Sequence, residues 1–188
     1  MNEVSVVNIN TQLIGAVALE ANTTLQLGYV TDIVINPEKG TVMALLFRTS
    51  SGDERALAPE DLIIHMKVNA VITIGEPVTD LAELKKLTEK GIRAQGELIN
   101  SEVVTEDGRL LGSVSDVFLL TDPMRVIYHI TSSVWERLFG GGFYFTGNAP
   151  CAYSRAGARL IAPADTRQYM YRSLAESVNA RIQEMAAV

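Results

Sequence analysis

The chain contains a copy of its own most structured stretch, and that copy limits the fold more than any single motif does. Leu27-Gly28-Tyr29-Val30-Thr31-Asp32-Ile33-Val34-Ile35 returns as Leu111-Gly112-Ser113-Val114-Ser115-Asp116-Val117-Phe118-Leu119, with Gly112 lying 84 residues after Gly28. Leu, Gly, Val and Asp recur in the same register. A repeat of this spacing in 188 residues implies two copies of a small β unit. Each copy has about 75 residues, near the lower limit for a self-sufficient core, so each is expected to lean on its twin, on a helix or on a second subunit.

Turn residues punctuate the rest. Residues 13–20 read as a first strand, and Ala21-Asn22-Thr23-Thr24 breaks it. Asn36-Pro37-Glu38-Lys39-Gly40 has the Pro and Gly of a hairpin loop, with a return strand from Thr41 to Arg48. Residues 55–58 lead into Pro59-Glu60-Asp61, and closing strands are expected at 62–66 and 70–74. The second copy begins near Gly96. Residues 98–104 match the first strand, and 125–130 align with 41–46 at the same offset of 84. Phe145 then matches Leu57, and Leu160-Ile161 matches Val71-Ile72.

Two helices are predicted. Thr79 or Asp80 can cap a short linker helix over 81–87, with Gly91 at its C-cap. Thr166 to Val188 reads as a C-terminal helix whose face of Tyr171, Leu174, Val178, Ile182 and Met185 must be buried, against the chain or in a homodimer. The expected fold is therefore mainly β. It has two tandem small β-barrels, at 1–76 and 93–165, a linker helix at 77–92 and an amphipathic helix at 166–188.

Hydrophobic residues at 47% and charged residues at 20% describe a globular chain. A net charge of −6 opposes broad phosphate binding, so no direct nucleic-acid partner is expected. Cys151 is the single cysteine, which excludes an intrachain disulfide. The polar start lacks the apolar core of a signal peptide. No apolar run approaches the roughly 18–20 residues that span a bilayer. A cytoplasmic protein without a transmembrane segment is expected, with peripheral membrane association left open.

Gly-x-Val-x-Asp, followed by alternating apolar residues, a Pro/Gly turn and a second apolar strand, resembles the PRC-barrel family. That family takes in the cytoplasmic domain of the photosynthetic reaction-centre H subunit and the C-terminal domain of a ribosome-maturation factor. Gly28, Val30 and Asp32, then Gly112, Val114 and Asp116, carry the match, which covers about 13–75 and 96–163. The resemblance implies a small, strongly bent barrel used as an interaction module, and no shared catalytic site.

Few residues suggest chemistry. Asp32 and Asp116 can be a ligand- or metal-binding pair, or carboxylates that hold a bend by accepting backbone N–H bonds. The second reading is preferred, with Gly28 and Gly112 allowing close approach. His65 and His129 have no Cys, Asp or Glu at metal-ligand spacing. Cys151 with His129 as base lacks any nucleophile motif and reads as a packing residue. Gly140-Gly141-Gly142 feeds a strand, Phe143-Tyr144-Phe145, rather than the helix a phosphate loop requires.

Aromatic residues are 6% of the chain, yet Trp135, Phe139, Phe143, Tyr144 and Phe145 crowd one span. Trp and Tyr are enriched in binding hot spots, and the span reads equally as rings buried in a barrel. The expected function is a non-enzymatic protein-interaction or adaptor module without cofactor or metal, using Trp135, Phe139, Phe143 and Tyr144. The resemblance points to assembly or regulation of a photosynthetic or electron-transfer complex. Two alternatives stand beside it. One is a small-molecule or metal-binding regulator, or a minor enzyme, in a groove between the repeats lined by Asp32, Asp116 or His129. The other is a ribosome- or RNA-processing accessory factor.

Overall fold

A computed structural model describes residues 5–65, 70–121, 124–133, 136, 141–146, 149 and 151–186. The first half runs Val6–Asn8 (β1), Val17–Glu20 (β2), Gln26–Asn36 (β3), Thr41–Arg48 (β4), Glu54–Leu57 (β5), Leu62–His65 (β6), Ala70–Thr73 (β7) and helix Leu81–Lys90 (α1). The second runs Ile92–Arg93 (β8), Glu102–Thr105 (β9), Leu110–Thr121 (β10), Met124–Thr131 (β11), Phe143–Thr146 (β12), Ala152–Ser154 (β13), Arg159–Ala162 (β14), Met170–Tyr171 (β15) and helix Leu174–Ala186 (α2). The mainly β expectation holds. The strands belong to one mixed sheet whose described pairings do not close on themselves. The halves meet within it where Arg125 opposes Thr41.

The pairing pattern repeats strand for strand. Gly28 opposes Ala18 as Gly112 opposes Val103. β7 runs parallel to β2 with Val71 on Ala18, and β14 runs parallel to β9 with Leu160 on Val103. Leu57 sits opposite Leu45 and Phe145 opposite Tyr128, which places Phe145 where the repeat expects it. The constant offset of 84 does not survive along β4. Ile35 pairs with Val42 and Leu119 with Val126, but Asp32 pairs with Leu46 and Asp116 with His129. An extra bulge in the first half, between the Val34 and Ile35 pairings, leaves Met43 without a counterpart and puts the strands one residue out of step.

Both long strands bend at a second bulge, between Val30 and Asp32 and between Val114 and Asp116. The preceding glycines let a neighbouring strand press against the backbone. A Cβ on Gly28 would lie 2.1 Å from the Arg48 carbonyl oxygen, and one on Gly112 would lie 2.4 Å from that of Thr131. No side chain fits there. Inward-facing residues of both halves form one core, including Ile33, Leu45, Phe47 and Leu57 with Val117, Tyr128, Ile130 and Phe145. A smaller second core of Val34, Ala44, Leu46 and Ala56 lies under Leu84 of α1.

Three expectations are corrected. The first strand of each copy is shorter than read, because Ile9–Leu13 and Ala94–Leu98 form single π-helical turns instead. These turns bury Ile9, Leu13, Ala94 and Leu98, of which Leu13 and Leu98 are the expected strand starts. The C-terminal helix begins at Leu174, not Thr166. Arg167–Tyr169 is a 3-10 turn, and Met170 and Tyr171 pair with β12. Ile182 is 37% exposed, while Ser177 is fully buried. α1 begins as predicted, with Asp80 Oδ1 accepting from the Ala82 N–H at 2.8 Å. Gly91 ends it for a different reason from the one expected. Its φ is −108°, and a Cβ would lie 2.4 Å from Val34 Cγ1, so the glycine serves close packing on β3. Among the described residues no helix is long and apolar enough to cross a membrane.

Candidate functional site

The two halves exchange their first strands. β1 of the first half pairs with β10, with Val7 opposite Leu119. β8, which opens the second half, pairs with β3, with Ile92 opposite Ile35. Leu119 and Ile35 are equivalent positions, so the exchange is reciprocal and in one register.

The two aspartates of the repeat hold the exchanged segments. Asp32 accepts from its neighbour Ile33 N–H at 2.8 Å and, across the halves, from the backbone N–H groups of Gln95 at 2.9 Å and Gly96 at 3.3 Å. Burial pushes the Asp32 carboxyl above its ordinary range despite these bonds and nearby Arg93. Asp116 accepts from Val117 N–H at 2.9 Å, from Asn8 Nδ2 at 2.6 Å and from Asn10 Nδ2 at 3.0 Å. Gln95 Nε2 donates to Asn10 Oδ1, linking the two clasps. Each carboxylate therefore holds its own bend, as the repeat suggested, and also ties down the other half. Protein donors occupy both aspartates.

Further contacts fix β8. Arg93 forms a two-pronged pair with Glu54, at 3.0 and 2.6 Å. Arg155 bonds Glu97 at 2.8 Å and donates to the carbonyls of Thr88, Glu89 and Gly91 at the end of α1. A guanidinium here satisfies carbonyls that a helix end leaves open.

The halves differ most on the outward face beneath their helices. Position by position, Val34, Ala44, Leu46, Ala56 and Val78 of the first half correspond to Phe118, Ile127, His129, Tyr144 and Tyr171 of the second. The helices also correspond. Leu81-Ala82-Glu83 and Leu174-Ala175-Glu176 follow those last positions at equal distance, and among the described side chains Leu84 and Ser177 are the buried residues of their helices. An apolar packing face in one copy has thus become a polar, aromatic one in the other.

His129 sits at its centre. Its Nε2–H donates to the Gly141 carbonyl at 2.9 Å, and its Nδ1 is hydrogen-bonded to the Ser115 hydroxyl at 2.8 Å, which also lies 3.1 Å from the His129 carbonyl. Ser115 is the residue at the β10 bulge, a position that re-aims a side chain. The His129 ring stacks on Tyr144 at 4.7 Å and 27°, and Tyr144 meets Phe118 at 5.8 Å. Burial and then the Asp116 charge push the Tyr144 phenol above its ordinary range. In the first half the bulge residue is Thr31, whose hydroxyl is buried without a partner because Leu46 stands in place of the histidine.

Of the aromatic span picked out from sequence, Phe143 and Phe145 face the common core and Tyr144 faces outward. Trp135 and Phe139 lie outside the described residues, as does the side chain of His65. Cys151 is fully buried in the core, and burial pushes its thiol up to about 12, which rules out a thiolate nucleophile at neutral pH. Its neighbour Tyr128 is also fully buried, with a hydroxyl that has no partner.

Sequence reasoning missed Asn8, Asn10, Gln95, Ser115 and Tyr171. The repeated Leu-Ala-Glu was the one available signal for the last of these. Three surface concavities include none of Asp32, Asp116 and His129. One, about 400 Å³, lies between α1 and β4–β5 and is lined by Met43, Ala44, Ala56, Ala58 and Leu87 among others. The others lie on the outer face of α1 and around Asn36, Lys90 and Arg155. Comparison with known proteins returns no matching family model and no matching curated protein.

Proposed function

We propose that the chain is a pair of interlocked PRC-barrel-like units acting in the cytoplasm as a non-enzymatic binding module. A protein partner docks on the second-half face that carries Tyr144, Phe118 and Tyr171. The observation that carries this reading is the divergence of equivalent positions: where the first half packs Leu46, Ala56 and Val78, the second presents His129, Tyr144 and Tyr171. Phe118, Tyr144 and Tyr171 remain partly exposed, and rigid, partly exposed aromatics are the residue type that anchors protein interfaces. His129, held at both ring nitrogens, and Ser115 fix the Tyr144 ring in place rather than leaving it free to rotate. The resemblance in Gly28, Asp32, Gly112 and Asp116 supports an interaction role and, through the family, a place in assembly of an electron-transfer complex. A ribosomal role is the runner-up, and the net charge of −6 disfavours it.

Site-specific photo-crosslinking tests the reading. A photoreactive phenylalanine analogue replaces Tyr144 in one strain and Tyr29, an aromatic 53% exposed on the first half, in another. The expected result is a discrete protein adduct from position 144 that is absent from position 29. Adducts equal from both positions, or none from 144, would overturn the assignment of this face.

A further inference from the structure

We propose that the edge of β10 at Phe118–Leu120, together with Asp116, is a strand-acceptor site that takes the N-terminal segment of a second copy of this chain in exchange for its own. The fold itself shows that such an edge accepts a strand from outside its own half, because it does so twice in one register, β1 on β10 and β8 on β3. Recognition at β10 has two parts. Val6, Val7 and Asn8 pair with Leu120, Leu119 and Phe118, and the side chains of Val7 and Ile9 enter the core. Between them Asn8 and Asn10 present amides to Asp116. The pattern apolar-Asn-apolar-Asn is what the edge reads.

The two exchanged strands are not held alike. β8 is fixed through backbone N–H groups on Asp32, which is 4% exposed, and through the Arg93–Glu54 pair. The Arg155 contacts at the end of α1 and on Glu97 add to this. β1 is held on Asp116 by side-chain amides, and Asp116, Asn8 and Asn10 are all partly exposed. Among the described residues no ion pair reaches residues 5–14. Of the two acceptor sites, β10 is the one whose occupant can be replaced. The occupant that regains every lost contact is the same segment from another copy, so concentration decides the exchange.

A peptide of residues 5–14, labelled with fluorescein at its C-terminal end, is incubated with the full chain and followed by anisotropy. The expected result is a slow, saturable rise with the unaltered chain. A chain carrying Asn8→Ala and Asn10→Ala should take up the unaltered peptide about tenfold more tightly, since its own segment holds Asp116 less well. A peptide with the same two substitutions should bind the unaltered chain about tenfold more weakly. At high protein concentration, sedimentation should show a dimer fraction that the unaltered peptide reduces. No rise with the unaltered chain overturns the proposal whether or not the variant folds. Equal binding of the substituted peptide, or a dimer indifferent to the peptide, overturns it too.

Discussion

Replacing Gly112 with alanine should cost far more stability than the loss of a glycine's freedom explains. Gly112 has φ +144°, a region side chains avoid, and a Cβ there would lie 2.4 Å from the Thr131 carbonyl oxygen and 3.1 Å from Ile130 Cγ2. The obstacle is backbone, so β11 must move by about half an ångström or more, which disturbs the pairing of Ser113 with Thr131. Strained backbone costs about 1–3 kcal/mol and overpacking about as much again, so the loss lies in the range of about 2–6 kcal/mol, and about 3 kcal/mol is taken as its lower working value. Gly108 is the control. It has φ +84° with nothing within 4 Å of its Cβ position, so Gly108→Ala carries the backbone cost alone, about 1 kcal/mol. The gap of about 2 kcal/mol corresponds to about 4–8 °C in Tm for a chain of this size. Urea unfolding with matched slopes measures it directly. Equal losses for the two variants would refute the claim that β10 and β11 are pressed together at Gly112.

The remaining predictions concern the clasps and the core. Because burial raises the folded-state pKa of Asp32, its protonated form favours the native state. That contribution is full below the unfolded value and is lost as pH rises through the raised value. The stability of the unaltered protein relative to Asp32→Asn should therefore increase as pH falls toward about 4. A flat difference between the two pH profiles would show that Asp32 is not desolvated. Arg93→Ala and Glu54→Ala should couple by about 1 kcal/mol in a double-mutant cycle, since the pair is two-pronged and about one-quarter to one-third exposed. Additive losses would show that the pair does not bind β8 to the first half. The Cys151 thiol should resist Ellman's reagent in the native protein and react fully in denaturant, because the side chain is 0% exposed. Prompt native reaction would contradict its place in the core.

The repeat made most of the strand order legible because period-two alternation and glycine placement are local signals. The equivalence of Phe145 with Leu57 and of Leu160 with Val71 follows from it, and the pairings repeat accordingly. What stayed hidden depends on contacts between the halves. Asn8 and Asn10 look like ordinary polar residues until the chain brings them to Asp116, over a hundred positions away. The π-helical turns carry apolar residues at spacings that also fit strands, so Leu13 and Leu98 drew the first strands too long. Met43 shifted one register silently, since a bulge inserts a residue without altering apolar character. At the candidate site, Tyr144 was visible as an aromatic in a sparse chain. Its grouping with His129, Ser115 and Tyr171 was not, because bulge geometry and sheet pairing bring them together.

Native-state hydrogen exchange tests the interlock of the two halves most directly. Each half lacks an edge strand without the other, so neither should open alone. The slowest amides of β3 and β10 should exchange with the same free energy, equal to that of global unfolding, and should respond identically to added urea. Protection of β3 that persists while β10 exchanges through a lower-energy opening, or the reverse, would contradict the reciprocal exchange of β1 and β8.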